Sequence, residues 1–165
     1  MRRWDCEEAV RILKTKLPGI SALRDVNPDQ FNTFSQLLTS GVEKHARHVV
    51  EEITRTRHAK DALDEGNIIG FGMIMNDCHR SLRDLFEVSC FELDTMVEIA
   101  QKLDGCYGSR LTGAGFGGCT VSLVDKQKAA AFCEELANQY FMKTRITPEI
   151  FLTRASQGVT LGKMM

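Results

Sequence analysis

Apolar residues recur at three-and-four spacing through the first hundred residues, and beyond them the period shortens to two. Cys6, Ala9, Val10, Leu13 and Leu17 share one helical face, and Pro18-Gly19 stops that helix. Asn27-Pro28 opens a brief helix through Phe31 and Phe34. A long helix starts near Gly41, with Val42, Ala46, Val49, Val50 and Ile53 as its apolar stripe, and Glu65-Gly66-Asn67 ends it. Glu43, Arg47, Glu51 and Arg55 step by four along its wet face with alternating sign, each pair adding about 0.3 kcal/mol. The next helix carries Phe71, Met75, Cys78, Leu82 and Leu85 on one stripe. Gly70 and Gly72 weaken its first turn by ~1 kcal/mol each relative to Ala, which predicts a close approach by a neighbouring helix. Ser89-Cys90-Phe91-Glu92 has the form of a capping box; Leu93, Met96, Val97, Ala100 and Leu103 are the buried face of the helix it opens.

After Asp104-Gly105 the pattern predicts one strand from Cys106 to Leu111 and a second from Cys119 to Val124. Asp125 is expected to cap a helix with the stripe Ala129, Phe132, Cys133, Leu136 and Tyr140, and Glu149 to Thr153 reads as a final strand. The chain is therefore expected to be one α+β domain over 1–165, mainly helical over 1–104 and β-loop-β-α-β over 105–165, with an antiparallel sheet.

Between the two middle strands lies Thr112-Gly113-Ala114-Gly115-Phe116-Gly117-Gly118. Glycine loses the most backbone freedom on folding, so this density points either to a tight turn needing positive φ or to a ligand or chain segment brought within backbone distance. Gly113, Gly115 and Gly118 match G-x-G-x-x-G in letters, but a dinucleotide fingerprint requires a helix after the glycines, and Cys119 onward alternates like a strand. No Gly-Lys-Ser/Thr closes the segment as in a Walker loop. The residues alone leave hairpin and ligand cradle both open.

The chain has 165 residues, 43% hydrophobic and 26% charged, which suits a single globular domain. A net charge of −1 offers no basic excess for nucleic acid or an anionic membrane. Acids rather than an apolar run follow Arg2-Arg3, and no stretch approaches the ~20 residues a spanning helix needs, so a soluble cytoplasmic protein is expected. The six cysteines (Cys6, Cys78, Cys90, Cys106, Cys119, Cys133) include no C-x-x-C pair and are expected as reduced, core-filling thiols. Met73, Met75 and Met96 are likewise expected in the core.

Three further groups carry candidate chemistry. His45 and His48, with Glu51 and Glu52 one turn on, have the residue types of a metal site; ordinary histidines on a solvated helix face fit the same spacing and are the expectation. His79 is expected to hydrogen-bond structurally, and Arg83 and Asp84 to form an ion pair that positions the following loop.

The stretch Gly108-Ser109-Arg110-Leu111-Thr112-Gly113-Ala114-Gly115-Phe116-Gly117-Gly118-Cys119 closely resembles the third signature motif of galactokinases, a branch of the GHMP kinase family. Arg2-Arg3 with Cys6-Glu7-Glu8, Ala22-Leu23-Arg24-Asp25-Val26, Arg47-His48-Val49-Val50 with Arg55-Thr56, His79-Arg80-Ser81-Leu82-Arg83-Asp84 with Glu87-Val88-Ser89, and Ala155-Ser156-Gln157-Gly158 are similar to other phrases of that branch. Leu85, Phe91 and Cys78 depart from its usual residues. The resemblance implies a GHMP-kinase C-terminal domain with a ferredoxin-like antiparallel sheet packed with helices. It implies a family that transfers the γ-phosphoryl of ATP, with Mg2+, to the C1 hydroxyl of galactose. The loop Thr112, Gly113, Ala114, Gly115, Phe116, Gly117 and Gly118 would lie beside nucleotide and sugar. The catalytic Asp and Arg, the serine-rich phosphate loop and the sugar-recognition motif would belong to a preceding N-terminal kinase domain, so no catalytic residue and no metal ligand is expected here. A non-catalytic sugar sensor or interaction module of the same ancestry is the alternative.

Overall fold

The computed structural model describes residues 2–156. Helix α1 (Arg2–Leu13) leads through a single 3-10 turn at Leu23–Asp25 to α2 (Pro28–Phe34). Asn27 and Gln30 satisfy each other's backbone amides around Pro28, which sets the start of α2. The 25-residue α3 (Ser40–Asp64), then α4 (Ile68–Asp84) and α5 (Phe91–Ala100) complete the helical half. Strands β1 (Cys106–Thr112) and β2 (Cys119–Val124) form an antiparallel hairpin, and α6 (Ala129–Thr144) follows. The expected stripes are the buried faces: Ala9 and Leu13 of α1 meet Val42, Ala46 and Val50 of α3 in one core, with Phe31 of α2. Ile99 and Ala100 of α5 meet Phe132, Leu136 and Tyr140 of α6 in another. The acid–base ladder on α3 also forms, linking Glu43, Arg47, Glu51 and Arg55.

The two halves join where α4 crosses β1. A Cβ on Gly72 would lie 2.1 Å from the Tyr107 carbonyl oxygen, and one on Gly108 would lie 2.1 Å from that of Gly72. The close approach read from the glycines is therefore real, but its partner is a strand rather than a helix. With backbone against backbone, α4 side chains reach the strand itself. Asn76 Oδ1 accepts from Ser109 N–H at 2.9 Å, and His79 Nδ1 accepts from Leu111 N–H at 3.3 Å.

Several expectations fail for identifiable reasons. His45 and His48 are buried, not solvated, because α3 is covered by α1 on one side and α4 on another. His45 Nδ1 donates to Asp5 at 2.7 Å, His48 Nδ1 pairs with Ser81 Oγ at 2.8 Å, and the His48 ring stacks on Phe86. The capping box at Ser89 does not form, since Ser89 Oγ bonds the Asp94 carboxylate instead and Cys90 is the N-cap. Asp125 does not cap α6. It accepts from Gln127 N–H and from the Tyr107 hydroxyl, and the helix starts four residues later. Met73 and Cys119 are exposed although Met75 and Cys78 are buried.

The strand expected at 149–153 is absent: residues 146–156 carry no regular secondary structure, and the sheet among the described residues is β1–β2 alone. Ile150 reaches the α5–α6 core, but Phe151 and Leu152 are exposed. A strand pattern becomes a strand only against an edge with matching donors and acceptors, and none pairs with it. Of the final family-like phrase, Gln157 and Gly158 lie outside the described residues.

Two outcomes follow from this packing. Gly72→Ala should cost about 1–3 kcal/mol, the usual toll of forcing atoms into a packed contact. Gly41→Ala, on a helix with nothing within 4 Å of the new Cβ, should leave stability unchanged or raise it by up to ~1 kcal/mol; urea midpoints of the two variants check this. Burial holds the His48 imidazole down at about 4 from an ordinary 6.5, and burial also lowers His79. The native state therefore excludes protons that the unfolded chain takes up, so stability is complete above pH 6.5 and falls as pH drops toward 4. Each histidine contributes a slope of at most about 1.4 kcal/mol per pH unit. Urea unfolding across pH 4.5–7.5 should show this slope and His48→Gln should reduce it.

Candidate functional site

The hairpin register pairs Thr112 with Cys119, leaving residues 113–118 as the loop. Gly113, Gly115, Gly117 and Gly118 have φ of +86°, +79°, +126° and +95°, and Phe116 joins them at +57°. Left-handed backbone costs a residue with a Cβ about 1 kcal/mol, so the glycines are required by the path of the chain. Phe116, the one bulky side chain in the loop, tolerates the same conformation because its amide donates to the Val88 carbonyl at 2.7 Å.

The glycines divide by what surrounds them. A Cβ on Gly115 would meet the Val88 carbonyl oxygen at 2.2 Å. Its bareness is therefore used by the protein itself, to seat the loop against the turn after α4. Cβ atoms on Gly113, Gly117 and Gly118 would meet nothing within 4 Å. These three line an open concavity of about 500 Å3 bounded by residues 112–119. A second concavity, about 660 Å3, lies between α1 and α3 with Cys6, Val10, Leu23, Val49 and Ile53 in its lining, and shares no lining residue with the first.

The seat beneath the loop is rigid. Val88 is buried with Leu93 and Leu111, and the preceding Glu87 is itself left-handed at φ +55°. Lys44 donates to the Glu87 carboxylate at 3.1 Å, and this bond with its charge lowers the Glu87 pKa. His79 is buried beside β1, with Nε2 3.3 Å from the Asp94 carboxylate, so its structural role holds as expected. Arg83 and Asp84 form the expected ion pair at 2.7 Å. Cys78 sits against Glu52 and Arg110, and burial and the Glu52 contact push its thiol up to about 11, so it is not a nucleophile at neutral pH.

The chemistry on offer at the loop is that of peptide groups and one hydroxyl, Thr112. Main-chain amides are the chief donors such a loop can offer, a chemistry suited to anions where they face a concave surface. No residue from 112 to 118 has an acidic, basic or thiol side chain, and among the described residues no cluster of three or more His, Cys, Asp or Glu could hold a metal ion. The loop can position a ligand; it has no group of its own with which to move a proton at neutral pH. The sequence marks Glu87-Val88 and Arg2 only as family-like phrases, not as the loop's seat and as the guanidinium that reaches that turn from α1. A left-handed Glu87 has no sequence signature, and residues 84 or more apart in the chain carry no periodic signal of contact.

Comparison with known proteins agrees with this geometry. The family model for the GHMP kinases C terminal matches residues 59–141. The chain is 48% identical over 164 residues to galactokinase from Roseiflexus sp. strain RS-1, covering 99% of this chain and 41% of that protein. It is 41% identical over 158 residues to galactokinase from Homo sapiens, covering 96% of this chain and 38% of that protein. The crystal structure of Lactococcus lactis galactokinase complexed with galactose superposes with a TM-score of 0.85 at 37% identity, over 88% of this chain and 38% of that one. This chain thus spans about two fifths of the length of the curated relatives it matches. With the helices, the antiparallel hairpin and the glycine-rich loop all accounted for, the chain belongs to the GHMP kinase family, as its C-terminal domain.

Proposed function

We propose that residues 1–165 form one domain, the C-terminal part of a galactokinase, and that it serves transfer of the γ-phosphoryl of ATP to the C1 hydroxyl of galactose. The observation that carries this reading is the loop 113–118, three of whose glycines leave main chain bare toward an open concavity. Phosphoryl transfer is achieved largely by positioning and by stabilising charge on the phosphate oxygens. Main chain left bare at Gly113, Gly117 and Gly118 lets a phosphate come within hydrogen-bonding distance of amide dipoles, and the Gly115 seat on Val88 holds the loop in place. Thr112 adds a hydroxyl at its edge.

In this reading the proton acceptor for the sugar hydroxyl, the nucleotide cradle and most sugar contacts come from an N-terminal kinase domain. The loop fits phosphate, not Mg2+, which takes carboxylate and water oxygens; 112–118 holds no carboxylate and so offers no metal ligand. The soluble, cytoplasmic reading from the sequence stands as part of the proposal; no helix among the described residues is long and apolar enough to cross a membrane.

The test joins this chain to the N-terminal three fifths of a similar galactokinase, such as that of Roseiflexus, and measures galactose 1-phosphate. The joined protein should turn over ATP in a galactose-dependent way and the 165-residue chain alone should not. Turnover by the chain alone, or galactose and ATP binding without turnover by the joined protein, would refute the division of labour, the latter favouring a sugar sensor. In the joined protein, Gly115→Val drives a branched side chain into the Val88 carbonyl. It should lower kcat/KM by about 100-fold, the scale expected when a positioning element moves by an ångström.

A further inference from the structure

Arg2 lies on α1. Its contacts lie far along the chain. Nε donates to the Phe86 carbonyl at 2.9 Å and Nη2 to the Glu87 carbonyl at 2.6 Å. Its guanidinium carbon sits 5.6 Å from the centre of the Phe116 ring, within range of a cation–π contact. One side chain thus touches both partners of the loop's docking contact: the turn that offers the Val88 carbonyl, and the residue whose amide bonds to it.

The turn needs such a hold. Glu87 is left-handed without being glycine, and strained backbone persists only where its surroundings over-determine it. Lys44 and Arg2 flank the Glu87 carboxylate at 3.1 and 3.8 Å. His45 Nε2 is 3.6 Å from it, with Asp5 fixing the far side of that ring. Phe116 is left-handed too and 66% exposed, so little packing fixes its ring from the solvent side.

We propose that Arg2 is a positioning residue for phosphoryl transfer, latching the glycine-rich loop by forking onto the 86–87 carbonyls while its cationic face holds Phe116. This rests on the galactokinase reading of the loop. The fork is specific to arginine: a lysine ammonium is a point charge and cannot hold two carbonyls and an aromatic face in one plane-matched geometry.

The experiment is hydrogen exchange on the full 165-residue chain, with turnover of the joined protein in parallel. In Arg2→Ala the Phe116 amide should exchange at least about tenfold faster, while the Leu111 amide in β1 stays within about twofold of the wild type, a local opening rather than global loss. Turnover should fall about tenfold with the thermal midpoint unchanged. Arg2→Lys, which keeps the charge and guards against an alanine variant that fails to fold, should show the same exchange change to a smaller degree. In a double-mutant cycle, Arg2→Ala combined with Phe116→Leu should be no slower than the worse single variant, as expected for residues acting through one contact. Unchanged Phe116 protection in a folded Arg2→Ala or Arg2→Lys chain would overturn the latch. So would faster exchange with full turnover, or additive effects in the cycle. A wild-type joined protein without galactose-dependent turnover, alongside the predicted exchange change, would sink the kinase reading while leaving the mechanical latch in place.

Discussion

Gly72 and Gly108 let α4 and β1 meet backbone to backbone, and the site inherits its geometry from that crossing. With no Cβ on either side, the helix sits close enough for Asn76 and His79 to bond strand amides directly. β1 is thereby held along its length, and Ser109 and Leu111 are buried. The same helix ends in the turn at residues 85–88, so one element positions both the root of the glycine-rich loop and the carbonyl on which the loop rests.

The loop combines two uses of glycine that a sequence motif does not separate. Gly115 is bare because the protein's own backbone occupies the space its side chain would take. Gly113, Gly117 and Gly118 are bare toward open space. The first use gives rigidity and the others give access, and positioning catalysis requires both. The positive φ angles meet the hairpin reading, and the cradle reading is the proposal made for the bare face at Gly113, Gly117 and Gly118.

Around this hairpin the buried polar groups are organised as supports. His45 answers Asp5, His48 answers Ser81, and His79 answers the β1 amide and Asp94. These contacts tie α1, α3, α4 and α5 to the ground on which the loop stands, and they leave His45 Nε2 and His79 Nε2 buried without a hydrogen-bond partner. The arrangement suits a domain that contributes shape and dipoles to a reaction rather than a reactive side chain.

Helix positions and their buried faces were legible in the sequence because amphipathic periodicity records which side of a segment faces a core. The glycine-rich loop was legible because that composition has few physical explanations, and the resemblance to galactokinases rested on that loop together with phrases spread along the chain. Periodicity does not record how many neighbours a helix acquires, which is why His45 and His48 read as solvated and are buried. Nor does it say whether an extended run will find an edge, which is why 149–153 has the pattern of a strand without becoming one. The partner of Gly72, the choice of Asp94 by Ser89, and the meeting of Arg2 with Phe116 were decided only when the chain closed on itself. Such contacts depend on distances between segments far apart in the sequence, and a one-dimensional pattern contains the chemistry of each group but not the separation between them.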